Sequence, residues 1–143
     1  MDAVLNYLLM FSTAFGAATI LPFYSEVVLV GLLATDLNPQ LLWGVASLGN
    51  TLGALVNWYI GLKYGHLAGS RWLPVTEDQM ARARGWFSRW GVWTLLLAWA
   101  PVGGDALTFL GGMMRVRLWL FFLLVGAGKA ARYAAIILAY EAV

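Results

Sequence analysis

The apolar run from Ala17 to Leu33, AATILPFYSEVVLVGLL, is broken in its middle by Pro22 and carries a carboxylate, Glu26, four residues further on. Proline interrupts the hydrogen bonding of a helix, and Ser25 and Glu26 can cap one that restarts. The run predicts two helical arms joined by a bend: Val4 to Leu21, then Glu26 to about Ala34, closed by the turn Thr35-Asp36-Leu37-Asn38-Pro39. The pattern returns from Leu95 to Gly112, LLLAWAPVGGDALTFLGG, where Pro101 precedes Asp105 by the same interval and Gly103 and Gly104 loosen the bend. An arm of nine residues covers only about 14 Å, half of a hydrocarbon core of roughly 30 Å. Each broken segment therefore reads as a re-entrant hairpin with its tip near the midplane, where protein or water must shield the backbone.

Elsewhere the apolar pattern is continuous. Leu41 to Tyr64 predicts a full span, with Gly49, Gly53, Asn57 and Gly61 at intervals of four. Such a seam lets another element approach the backbone, with Asn57, and Asn50 beside the seam, able to hydrogen-bond across it. Thr76-Glu77-Asp78-Gln79 is a capping-box pattern that opens a helix running to Trp90. Met80, Ala83, Trp86, Phe87 and Trp90 share one face of it and Asp78, Arg82 and Arg89 sit opposite, so this helix should lie on the membrane surface. Leu118 to Val143 predicts the second full span, with Lys129 and Arg132 near its centre on one face and Tyr133 adjacent. Each cation at that depth costs about 2.5–3.5 kcal/mol on insertion scales, so both must face a partner or water.

The expected fold is an all-α integral membrane protein with two inverted-repeat re-entrant hairpins, two full transmembrane spans and one cytoplasmic amphipathic helix. The single membrane domain, 1–143, divides into a first repeat over 1–64, a linker helix over 76–90 and a second repeat over 91–143. Composition agrees: 62% of residues are hydrophobic and 11% charged, far from globular averages. Eight Trp and six Tyr fit interfacial belts, and sixteen Gly fit close helix packing in lipid. No cleavable signal peptide is expected, since MDAVLNYLL has an acid where a basic region belongs. Absence of cysteine excludes disulfides and thiolate chemistry, and the lone His66 has no second histidine with which to build a metal site.

Orientation follows from the basic residues. With two hairpins, Lys63, Arg71, Arg82, Arg84, Arg89, Arg115 and Arg117 fall on one side, seven against none, and that side is cytoplasmic by the positive-inside rule. Both termini are then periplasmic. If both broken segments spanned instead, the bias would be five against two.

The order hairpin, span, amphipathic helix, hairpin, span, with LPFYSEVVLVGLL, LGNTLGALVNWYIG, APVGGDALTFLGG and GKAARY in sequence, resembles the DedA superfamily (VTT or SNARE-associated domain), most closely its short YqaA-like branch. The resemblance implies a multi-pass protein of the bacterial inner membrane, related to carriers that return undecaprenyl phosphate or phospholipids across the bilayer, with eukaryotic relatives that scramble lipids. By position the family's hairpin carboxylate falls on Glu26. The acidic residue of its glycine-rich span motif falls on Asn50, a departure. The arginines typical of the second hairpin are absent, with Asp105 in that region and the cations displaced to Lys129 and Arg132.

Two opposed hairpins would bring Glu26 and Asp105 together near the midplane at the repeat interface, level with Lys129 and Arg132. A guanidinium offers phosphate a fork of donors, and a carboxylate shielded from water can take up a proton. The cluster, with Asn50, Asn57 and Tyr133, therefore reads as a substrate-binding and transport site for a membrane lipid, polyprenyl phosphate or phospholipid, the transport being either passive or ion-coupled, with a proton exchanged at Glu26 or Asp105 in the second case. The bland reading is that the acids cap helices and neutralise the bases. The chain carries no Walker motif, and neither a cofactor nor a nucleic-acid partner is expected. Two other classes stay open: a structural or assembly protein, in which the glycine seam would support a homo-oligomer, and an intramembrane enzyme using Glu26 and Asp105 as an acid pair. Since no serine, histidine and acid set accompanies those acids, the expectation is that the protein is not an enzyme.

Overall fold

The computed structural model describes residues 2–19, 24–67, 75–100 and 104–143. Pro22, Pro101 and Gly103, and with them both bends, lie outside the described residues. The described chain is all helical: α1 (Ala3–Thr19), α2 (Tyr24–Leu33), α3 (Pro39–Tyr64), a short 3-10 turn (Gly65–Leu67), α4 (Glu77–Trp90), a 3-10 helix (Gly91–Trp99), α5 (Gly104–Met113) and α6 (Leu118–Ala142).

Local chemistry sets most of these boundaries. Asn38 caps α3, its side chain accepting from the amides of Gln40 and Leu41, and Pro39 follows at the first helical position, where its missing N–H costs nothing. The sequence reading placed both residues in a turn and began the span two residues later. The capping box that opens α4 has both its bonds, Gln79 N–H to Thr76 Oγ1 at 3.2 Å and Thr76 N–H to Gln79 Oε1 at 3.0 Å. Gly91, at φ 66°, ends α4. Past α5, Arg115 takes a left-handed φ of 55°, with its amide bonded to Gly112 O and that of Val116 to Gly111 O. That is a Schellman stop with arginine where glycine is usual.

Helix α6 is, among the described residues, the one helix both long and apolar enough to cross a membrane. Helix α3 matches it in length, 26 residues or about 39 Å, but Gln40, Asn50, Asn57 and Lys63 make it more polar than the full span that the pattern predicted. These two helices pack on each other and the shorter elements dress them crosswise. Helix α1 lies on α3 and the 3-10 helix on α6, whereas α5 of the second half packs on α3 and α2 of the first half contacts α6.

Glycine fixes how near these elements come. On α3, an added Cβ would meet Phe11 O at Gly49 (2.7 Å), overlap Phe15 O at Gly53, and overlap Phe109 O at Gly61. The seam is thus filled from within the chain, by α1 at one end and α5 at the other. Gly104 opens α5 against Ala98 O, and Gly128 of α6 lies against Leu96 O, so Gly104 is a contact glycine rather than the flexible bend residue the sequence suggested.

Three apolar clusters fill the interior. Met10, Leu29, Leu42, Tyr133 and Ile137 join α1, α2, α3 and α6, and Leu95, Phe121 and Val125 join the 3-10 helix to α6. Met80 and Ala83 of α4 are buried against Leu107 and Leu110 of α5. The apolar face of α4 therefore rests on α5 and on the 3-10 helix, while Trp90, expected on that face, stays 58% exposed at the end of the helix with Arg89 above its ring.

Candidate functional site

The halves differ most in the element that enters each broken segment. Helix α1 has 17 residues, about 26 Å, whereas the 3-10 helix has nine, about 18 Å even at its longer rise. Among the described residues, a groove of about 520 Å³ lies along α6 beside Trp99, where the 3-10 helix ends. Trp99 and Glu26 flank it, its floor is Gly128, Ala131, Ala135 and Ala139 of α6, and Arg132 stands in it. The small side chains along this face keep the groove shallow and apolar except at its one charged pair.

Glu26 lies in the first turn of α2, and its carboxylate forms an ion pair with Nη2 of Arg132. The Nη1 of the same guanidinium donates to the carbonyl oxygen of Trp99 at 2.9 Å, where the 3-10 helix ends. Arg132 thus joins α6 to the start of α2 and to the end of the 3-10 helix. Both partners are partly exposed, the side chain of Arg132 by 25% and that of Glu26 by 33%.

The other predicted residues lie deeper. Lys129 is 5% exposed, and its charged neighbour is Asp105, in the first turn of α5, at more than salt-bridge distance. Among the described residues Glu26 pairs with Arg132, whereas Asp105 and Lys129 form no ion pair, so the four charges are not joined in one ion-paired cluster. Tyr133 is buried and donates to Ser25 Oγ at 3.0 Å, with Asn50 facing the same hydroxyl. Asn50 donates to Ala14 O at 2.9 Å. Asn57 donates to Ala18 O at 2.8 Å and to Thr108 Oγ1 at 3.1 Å, and Thr108 in turn donates to Asp105 O. Both asparagines tie α3 to its neighbours, and neither lines the groove.

Sequence reasoning saw Ser25 only as a cap and missed the Trp99 carbonyl. The position of Ser25 beside Glu26 was a usable signal, but a backbone carbonyl leaves none. Among the described residues, no group of three histidine or acidic side chains gathers that could hold a metal ion.

Residues 21–141 match the VTT domain family. The inner membrane protein YqaA of Escherichia coli (strain K12) is 41% identical over 140 residues, which cover 95% of this chain and 92% of that protein. An uncharacterized protein of Haemophilus influenzae is 34% identical over 139 residues, covering 90% of this chain and 83% of its own length. An uncharacterized protein of Methanocaldococcus jannaschii is 19% identical over 136 residues, covering 94% and 84%. No solved structure matches the chain.

Proposed function

The chain belongs to the VTT domain family, within the DedA superfamily, and from that membership we propose that it is a multi-pass protein of the bacterial inner membrane that carries lipids with a phosphate headgroup across the bilayer. The observation that carries this reading is the half-buried Glu26–Arg132 pair in an apolar groove on α6, among the described residues the helix long and apolar enough to cross the membrane. A charge within a membrane is costly unless it is paired or hydrated, and ionisable groups kept there mark substrate paths. Arg132 supplies the fork that suits phosphate, and the alanine-lined face of α6 offers a bed for a hydrocarbon chain.

In this reading Arg132 recognises the anionic headgroup and Glu26 gates the movement, exchanging a proton during the cycle. Lys129, one turn away, is buried outside the groove, and Asp105 balances its charge. The broken segments act as re-entrant hairpins of an inverted repeat, with both termini periplasmic and the basic segment 65–91 cytoplasmic. Movement is passive or ion-coupled.

The test is transbilayer movement of fluorescent lipids in proteoliposomes, across a panel that includes polyprenyl phosphate, phosphatidic acid, phosphatidylethanolamine and a phosphate-free diacylglycerol. Phosphate-bearing lipids should move faster than in protein-free vesicles and the diacylglycerol should not. Arg132→Ala should abolish the difference. A folded wild-type protein that moves no phosphate lipid would leave the structural or assembly reading in its place.

A further inference from the structure

We infer that Glu26 occupies on Arg132 the seat that a substrate anion takes, so that loading exchanges carboxylate for phosphate and the exchange releases α2 from α6. This deepens, and rests on, the lipid-phosphate reading above.

Both terminal amino groups of Arg132 already have a partner within the protein. One amino group holds Glu26 and the other holds Trp99 O. An incoming phosphate that kept Glu26 in place would put two anions on one guanidinium in an apolar groove, and like charges with so little water between them repel strongly. Among the described residues, no second cation lines the groove to relieve this. Lys129 on α6 is buried, with Asp105 on α5 as its charged neighbour; the neutral Asn50 and Asn57 of α3 lie outside the groove; the 3-10 helix contributes a backbone carbonyl. The carboxylate must therefore give way to the phosphate.

Its departure has a mechanical consequence, because α2 is tied to α6 through two consecutive residues. Ser25 accepts from Tyr133, and Glu26 pairs with Arg132. When the second tie is given to the substrate, the first turn of α2 is held by one hydrogen bond and by the packing of Leu29, Leu32 and Leu33 around Tyr133 and Ile137. Loading at the groove thereby loosens the element that follows the first break, which couples occupancy to movement without any further contact.

Two readouts on the full-length protein in detergent test this: calorimetric binding of dihexanoyl phosphatidic acid and of inorganic phosphate, and hydrogen exchange at the amides of residues 25–29. Glu26→Gln should bind phosphatidic acid at least about tenfold more tightly than the wild type, because a desolvated competitor has lost its charge. Arg132→Gln should bind none. Adding phosphatidic acid to the wild type should speed exchange at 25–29, and Ser25→Ala, which removes the other tie, should speed it without ligand and, by linkage, should bind phosphatidic acid at least as tightly as the wild type. Inorganic phosphate should bind more weakly, and equal affinity would assign the exchange to free phosphate instead. Unchanged or weaker affinity in Glu26→Gln, binding of neither probe, or slower exchange on adding lipid would overturn the inference. Should Glu26→Gln not fold, the wild-type exchange rates decide. Tighter binding by Glu26→Gln with no lipid movement in proteoliposomes would remove the carrier and keep the exchange, whereas intact movement with unchanged affinity would do the reverse.

Discussion

A methyl group on Gly112 of α5 would overlap the carbonyl oxygen of Trp58 on α3, so these helices touch backbone to backbone. Gly61 makes the reciprocal contact with Phe109 O, and the two glycines together form one crossing. Helices in lipid associate largely through such close packing, with no hydrophobic gain between them. Gly112→Ala should cost about 2–3 kcal/mol, the upper end for overpacking, because the obstacle is backbone and cannot turn away. Thermal unfolding in detergent should show a marked fall in Tm. Gly126→Ala is the control: its added carbon would meet only the side chain of Thr51, at 3.6 Å, and Tm should hardly move.

Asn57 sits between the glycine contacts of α3 and bonds both ways, to Ala18 O at the end of α1 and to Thr108 in α5. Asn57→Ala leaves both acceptors without this donor, for a loss of about 1–2 kcal/mol. Because one side chain serves both broken segments, hydrogen exchange should quicken at residues 16–19 and at 104–108 together. Faster exchange at only one of the two would mean that the halves are not joined through Asn57.

Much of this fold was legible in the sequence, and for local reasons. The spacing of Gly49, Gly53 and Gly61 marks a close seam whatever fills it, Thr76 and Gln79 announce a helix start, and proline followed four residues later by an acid places Glu26 and Asp105 in the first turns of short helices. What stayed hidden depends on contacts far apart in the chain. Nothing in GVWTLLLAW distinguishes a 3-10 helix from an α-helix, so the short reach of that segment, and the groove beside its end, could not be read. Lys129 and Arg132 lie three residues apart on one helix, and only the positions of α2 and α5 decide that the first turns inward to Asp105 and the second outward to Glu26. The pairing of Ser25 with Tyr133, 108 residues away, is of the same kind.

The proposed topology makes an independent prediction. Both termini should lie outside the cytoplasm, and segment 65–91 and Arg115 inside it. A C-terminal fusion to a reporter that works only in the cytoplasm should be silent, and one that works only in the periplasm should be active. The opposite pattern would change the number of crossings and remove the two-hairpin arrangement.

The groove itself offers the most direct test of lipid carriage. Ala135 lies on its floor one turn from Arg132 and is exposed, so a large side chain there fills the path without disturbing buried packing or the Glu26–Arg132 pair. The measurement is the rate of transbilayer movement of a phosphate-headgroup lipid in proteoliposomes holding folded wild type or Ala135→Trp. If lipid travels this groove, Ala135→Trp should fall to the rate of protein-free vesicles while the wild type stays well above it. Movement by Ala135→Trp at the wild-type rate would contradict the groove as the path.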